Sequence, residues 1–493
     1  MNRKRVMSIM CGVLVVFFSS CTTAQEESSS SPTYQPTNLV YYTIGEPDPG
    51  LKKVNQAINE VLKQKVNLTI TYEKVGWQDY ERRLNAMISS GFPVDILFAQ
   101  NYASFASRKA WLCLDDYLQN EGKQMYETIN PILWQGVRMS DGSIYGVPTN
   151  KELTVQLQWM YPKELVEKYQ IDITQYQTVQ SLEPLLQMIS QNEPDYLPME
   201  LDKDSHNFFS IDGYEYLLDK KLPLMAKSLE NHPQVVNIFE TKECQDILYT
   251  LREYYQKGYI NEDAAVKESV NLTYGKKVFW KASEGGPLTE SSWSKDRGYS
   301  VVTQALSKPV VTTESTQGGV MAISAYTQYP SESVIFLNLL NTDPEVRNLF
   351  NYGIEGVQYT LDENGQVLLK DAQELGTNSY AGVPYTQGNW FILKTLGGKY
   401  TEPLDKWKQY QIYNEKAICS SLLGFIPDLS GLSRQVANVG QVWDKYYSCL
   451  MTGSVDVDTQ LPKFLKELQL SGIDAIKEEL QSQLDRWILE KNQ

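Results

Sequence analysis

DGSIYGVPTNKE, residues 141–152, is the stretch on which the reading of this chain turns. Asp141-Gly142 is a pair that favours a hairpin tip. Residues 143–147 follow as a strand, and Pro148 keeps the backbone extended while withdrawing a ladder donor. A strand that runs into proline and then into the polar Thr149, Asn150, Lys151 and Glu152 reads as a crossover in which one lobe ends and another begins. A two-lobed binder with its ligand at the crossover is the expectation.

Upstream, residues 38–44 (NLVYYTI) form a buried-strand run closed by Gly45. Leu51, Val54, Ile58, Val61 and Leu62 share one helical face, residues 66–72 return to a strand pattern, and Trp77, Tyr80, Leu84, Met87 and Ile88 repeat the helical spacing before the apolar run VDILFA at 94–99. The order β-α-β-α-β predicts a parallel sheet covered by helices. Ligands of such sheets lie beyond the carboxyl ends of the strands, here near Glu46 and near Asn101 and Tyr102.

Downstream, strands are predicted over 154–160, 277–282 and 319–324, and helices over 162–169, 181–190 and 241–257. The chain is expected to cross back near 298–304. Asp343-Pro344-Glu345 is a helix start, with a capping carboxylate and proline at the first helical position, and Gly353 is its stop. That helix is expected to make a third crossing. Asp362-Glu363-Asn364-Gly365 is a hairpin turn, and Ile473, Ile476, Leu480, Leu484 and Trp487 line a C-terminal helix.

A chain of 493 residues exceeds one core, and 42% hydrophobic with 21% charged residues is a soluble globular composition. Arg3, Lys4 and Arg5 precede an apolar run at 6–18 that is too short to span a bilayer, so residues 1–20 read as an export signal. Residues 24–37, AQEESSSSPTYQPT, have the composition of a flexible tether. The net charge is -15, and loss of the three basic signal residues makes the remainder more acidic still, which argues against nucleic acid and anionic lipid as partners. Cys113, Cys244, Cys419 and Cys449 show no metal or redox spacing and are expected to be buried free thiols, with a Cys419 to Cys449 bridge left open.

Catalytic signatures are missing. His206 and His232 stand in no zinc spacing, and there is no nucleophile elbow, phosphate loop or calcium loop. No metal and no cofactor is expected. A glycoside hydrolase needs only two carboxylates, which 60 acidic residues do not exclude, so a lipid-anchored hydrolase or a carbohydrate-binding adhesin is the alternative to a binding protein.

Phe18-Ser19-Ser20-Cys21, the 141–148 string, Gly318-Gly319-Val320-Met321-Ala322-Ile323-Ser324 and Tyr352-Gly353-Ile354-Glu355-Gly356-Val357-Gln358-Tyr359 stand in the order found in solute-binding lipoproteins of ABC importers, which this chain resembles. The segment from Leu423-Gly424-Phe425 to Asp485-Arg486-Trp487 resembles a C-terminal domain carried by a subset of them. The resemblance implies an α/β fold of the periplasmic-binding-protein type II, with two lobes joined by crossing strands. It implies capture of a sugar or oligosaccharide, delivery to permease subunits served by a cytoplasmic ATPase, and no enzymatic activity. It also implies a lipid on Cys21, which places the protein on the extracellular face of the cell membrane, as a monomer. The two N-x-T strings, at Asn67 and Asn271, carry no meaning in such a protein. We expect lobe 1 at 38–148 with 303–345, and lobe 2 at 149–302 with 346–493.

A sugar site needs aromatic plates for the ring face and carboxylates or amides for the hydroxyl rim. The chain holds 32 Tyr, 10 Trp and 14 Phe to choose from. Trp77 follows a strand end, either facing the cleft or starting the helical core. Asn101 and Tyr102 stand at a strand tip, and Asn150 and Glu152 on the crossover. Trp280 and Trp293 flank residues 284–287, a loop that in the resembled family carries a stacking aromatic, and one of the two is expected to contact ligand. Glu355 sits between Gly353 and Gly356 with Tyr359 beyond, as a ligand carboxylate or as a plain loop after a helix. Trp390 occupies a turn.

Overall fold

In this computed structural model the described residues are 35–205, 208–209, 213–218, 220–268, 275–398 and 401–491. The export signal, Cys21, most of the tether, His206 and Asn271 lie outside them. Among the described residues no helix is long and apolar enough to cross a membrane.

Lobe 1 is built on a five-stranded sheet ordered Leu68–Val75, Thr37–Ile44, Ile96–Phe98, Val320–Ile323, Val147–Pro148. The first three strands are parallel because helices Leu51–Val66 and Trp77–Ser90 carry the chain back between them. Val54, Ile58 and Leu62 are the buried stripe of the first helix. Val320–Ile323 runs antiparallel to both its neighbours, so Val147–Pro148 points the same way as the first three strands. The strand expected over 143–147 shrinks to Val147–Pro148, with Ile144 held by a single bridge to Arg138.

Lobe 2 has a four-stranded sheet ordered Val301–Ala305, Gln156–Pro162, Lys277–Gly285, Tyr196–Met199. The middle strand pairs antiparallel with its partners, and only Tyr196–Met199 runs parallel to Lys277–Gly285. Between the sheets the chain crosses at residues 149–155, again after Ala305, and a third time at Ile418–Cys419, which pairs in parallel with Val310–Val311.

Two crossings therefore differ from expectation. Residues 301–305 are an edge strand of lobe 2, and the return begins only after it. Helix Pro344–Tyr352 is no crossing. Its Val346 and Phe350 belong to the first core, where Phe350 meets Tyr41 edge-on at 5.9 Å between centroids. The segment after 345 thus starts in lobe 1, because its apolar face finds the aromatic layer of Tyr41, Tyr72 and Phe336. The helix start itself is as expected, with Asp343 accepting from the amides of Glu345 and Val346. The four cysteines are free, but Cys113 and Cys419 are exposed, against the buried thiols expected.

Helices Ser433–Met451, Val457–Leu470 and Ile473–Lys491 complete lobe 2 rather than hang from it. Val439, Tyr447, Leu450, Phe464, Ile476 and Leu480 share one core cluster with Trp159, Phe239 and Leu248. Phe464 is fully buried and stands edge-on to Phe239 at 5.0 Å. Phe464→Ala should therefore cost about 3–5 kcal/mol in urea unfolding, as for a large core aromatic. A loss under about 1 kcal/mol would mean that the C-terminal helices fold as an appendage.

Candidate functional site

Strand direction decides where a ligand can sit. In lobe 1 the strands ending at Ile44, Val75, Phe98 and Pro148 all finish at the edge from which the chain crosses. In lobe 2 Gly285 pairs with Gln156, so the carboxyl end of Lys277–Gly285 lies where the first crossing enters the sheet. Both lobes turn their strand tips toward the crossings, the usual binding edge of open α/β sheets.

A cavity of about 620 Å³ lies against these crossings. Lys151, Thr154, Leu306, Lys308 and Val310 line it from the crossing segments, Glu314, Ser315 and Gly318 from lobe 1, and Phe209, Tyr214, Glu215, Met225 and Glu284 from lobe 2. Lys220 of lobe 2 reaches Glu314 of lobe 1 at 3.0 Å across it. Apolar walls with a few carboxylates and ammonium groups are the make-up of a small-ligand site.

Two carboxyl groups there are perturbed. Glu284, at the strand tip, is solvent-accessible, yet the protein around it displaces bulk water and raises its pKa, against the pull of Lys220. Accessibility combined with desolvation marks a group inside a concave site. Glu215 is buried, and that burial lifts its pKa to about 7 although the Ser420 hydroxyl donates to it. Ser420 belongs to the third crossing and bonds Glu215 Oε1 at 2.9 Å, while Oε2 has no partner.

Next to this cavity, lobe 2 carries a hollow of about 330 Å³ lined by Met160, Glu200, Asp202, Phe208, Lys281, Ser283 and Trp293. Its floor is a closed ion network. Glu200 is buried and bonded to Lys267 at 2.7 Å, Arg297 at 2.9 Å and Lys281 at 3.1 Å. Burial alone would raise its pKa, but Lys281, Arg297 and Lys267 outweigh that and hold it down at about 2.

On the lobe 1 edge, Trp77 stacks on Tyr385 with centroids 6.1 Å apart and planes 14° from parallel. They stay 46% and 39% exposed, which makes them an open aromatic platform. The backbone at Tyr385 comes so close to Gly319 that a Cβ there would lie 2.3 Å from its carbonyl oxygen.

The residues singled out in the sequence fall in different places. Trp77 is on the platform, and Asn101 is exposed at its strand tip, 3.4 Å from Glu81. Tyr102 is core instead: its hydroxyl donates to Val137 O at 2.7 Å and accepts from the Tyr145 amide. Trp280 is core as well, between Trp159 and Phe208, whereas Trp293 reaches the hollow. Asn150 is 4% exposed, and its side chain donates to Thr128 O and to Asn389 Oδ1 and accepts from the Asn130 amide. Glu152 is buried beside Lys151, at 3.0 Å, with Oε2 unpartnered.

Glu355 and Tyr359 border a depression with Ala57, Val61 and Pro344 on the helical flank of lobe 1, away from the strand tips. The helix that carries them there is the one misread as a crossing. Trp390 is half-buried, with its Nε1 tied to Pro384 O at 2.6 Å. Glu284, Glu215 and Tyr385 were not singled out. Glu284 had a signal, standing at the end of a strand before two glycines; Glu215 and Tyr385 come from segments without periodicity.

Residues 421–489 match the family described as a domain of unknown function, DUF3502. Along 457 residues, 91% of either chain, the protein is 26% identical to a carbohydrate ABC transporter substrate-binding protein of Streptococcus pneumoniae serotype 4 (strain ATCC BAA-334 / TIGR4). It superposes with a TM-score of 0.81 on the N-glycan transport solute binding protein NgtS of the same species, at 26% identity, covering 92% of this chain and 100% of that one. Over nine-tenths of its length the chain is thus similar to carbohydrate-binding components of ABC importers. NgtS in complex with Man5GlcNAc is similar with a TM-score of 0.74, at 26% identity and 92% and 99% coverage. A human-milk-oligosaccharide (HMO) binding protein of Bifidobacterium longum infantis shares the fold, at 17% identity and a TM-score of 0.65, over 92% and 99% of the two chains.

The buried Glu215 links stability to pH. Its native pKa of about 7 stands above the ordinary 4.5, so between those values the native state keeps a proton that the unfolded chain has lost. Stability from this group is complete below pH 4.5 and falls by up to about 3 kcal/mol as pH rises through 7. Chemical denaturation of Glu215→Gln across pH 4–8 should show that slope removed. An unchanged slope would mean that Glu215 titrates normally.

Proposed function

We propose that the protein captures a neutral oligosaccharide between its lobes and delivers it to the permease subunits of an importer powered by a cytoplasmic ATPase. The observation that carries this is the hinge cavity, to which both lobes and both adjoining crossings contribute walls. A ligand held there contacts more protein in the closed form than in the open one, and that difference drives closure. Similarity over more than nine-tenths of the chain to a carbohydrate-binding relative and to NgtS in its glycan complexes supports a glycan as the ligand. The protein is a binding component, not an enzyme, as those relatives are.

Within the cleft, Trp77 and Tyr385 offer a ring-face platform and Glu284 a rim carboxyl. A carboxyl with raised pKa both donates and accepts, which suits the hydroxyls of an uncharged sugar. Cys21 is the proposed lipidation point, with residues 22–36 as leash, holding a monomer at the extracellular face of the membrane. Cys21→Ser should then release the protein into the medium, read by cell fractionation; retention in the membrane fraction would remove the anchor.

Calorimetric titration of the mature protein against a glycan panel that includes Man5GlcNAc and Man1GlcNAc tests the function. We expect saturable binding without product release, and compaction in small-angle scattering. Trp77→Ala and Glu284→Gln should each weaken binding about 10-fold, the loss of roughly 1.4 kcal/mol apiece. No binding by any panel member would end the glycan reading.

A further inference from the structure

The hinge cavity and the lobe 2 hollow are separate compartments, and what divides them is specific. Phe208 lines the hollow and Phe209, its neighbour, lines the cavity. Ser283 lines the hollow and Glu284, the next residue of the strand, lines the cavity. Successive strand residues point to opposite faces, so the two spaces lie on either side of the tip of Lys277–Gly285. The divider is packed: Phe208 and Phe209 are 1% and 2% exposed, and Phe208 lies flat against Trp280 with centroids 5.9 Å apart.

Resting on the glycan reading above, we infer that the hollow is a second subsite, which receives one uncharged pyranose arm of a branched oligosaccharide whose other arm fills the hinge cavity. A linear chain entering one compartment must fold back around the strand tip to reach the other. A branch point at the tip sends an arm to each side without that reversal. Just past the tip, a Cβ placed on Gly286 would meet nothing closer than Tyr410, at 4.0 Å, whereas at Gly285 it would clash with Thr289 at 2.6 Å, so the open side of the tip is at Gly286.

The hollow has the chemistry for a neutral ring. Trp293 is half-buried at its wall, presenting a face for stacking, and Ser283 adds a hydroxyl. The floor cations are engaged by Glu200, and Lys281 also faces Asp202 at 3.5 Å. Asp202 and Asp296 at the lining disfavour an anionic sugar.

The test titrates a branched mannose glycan, a linear mannose glycan with the same number of residues and a one-arm fragment of the branched glycan. The proteins are the wild type, Trp293→Ala and Ser283→Trp, which plugs the hollow. We expect the branched glycan to bind at least 10-fold tighter than the linear one, and to lose 10-fold or more in both variants. The one-arm fragment should change less than 2-fold, with melting temperatures within a few degrees of wild type confirming the fold. Equal losses for the branched glycan and the fragment, no loss in either variant, or equal affinity for branched and linear glycans would overturn the bipartite site while leaving glycan capture intact. A wild type that binds none of the three would overturn both.

Discussion

The structure depends on how residues 149–155 leave one sheet and enter the next without an exposed backbone. A crossing segment has no ladder of its own, and buried amides and carbonyls left unpaired are costly. Here five of them, at Thr149, Asn150, Lys151 and Leu153, are met from segments distant in sequence. Thr149 N donates to Gly319 O at 2.7 Å, Asn150 N to Gly388 O at 3.0 Å, and Trp390 N to Asn150 O at 2.9 Å. Asn414 then spans the crossing, accepting from Leu153 N at 2.9 Å and donating to Lys151 O at 3.1 Å. Partners for four of these seven residues thus come from Gly319, residues 388–390 and Asn414, which fixes those late segments against the hinge and explains why the chain after 345 cannot belong to lobe 2 alone.

That constraint also marks what the sequence could and could not reveal. The β-α-β-α-β order, the proline-ended crossing, the Asp343 cap and the C-terminal helix are local signals, and local hydrogen bonds and burial realise them. The third crossing was illegible because Ile418–Cys419 is two residues long and both are exposed, so no apolar period announces it. Asn150 stands on the crossing as its position suggests, but its side chain is taken up by Thr128, Asn130 and Asn389. The site residues were harder still. Trp280 and Trp293 look alike in sequence, and only the register of their strand and helix sends one into the core and the other to the hollow.

Charge inside lobe 2 follows the same logic of fixed geometry. One buried carboxylate, Glu200, ties a strand end to Lys267, Lys281 and Arg297, which come from three separate segments. Such a network contributes little net stability after desolvation. What it does supply is position, because any shift of Lys281 or Arg297 would strand a buried charge. The floor of the hollow is thereby held in one arrangement, since every member of the network is paired.

Closure, by contrast, is left nearly free. Outside the crossings, Lys220 meets Glu314, and Tyr410 donates to Pro287 O at 2.9 Å, from a helix whose Trp407 packs with Tyr352 and Val367 of the first half. The ion pair is solvent-exposed and worth at most about 1 kcal/mol, and the hydrogen bond contributes a similar amount. Thr313 and residues 422–424 add further hydrogen bonds between the lobes next to the third crossing, and Leu423 is buried in the lobe 1 core, so the firmer inter-lobe contacts lie beside the crossings. A ligand that touches both walls would favour whichever arrangement gives it more contacts, and Glu284, exposed at the strand tip with its pKa raised by the surrounding protein, stands on one of those walls.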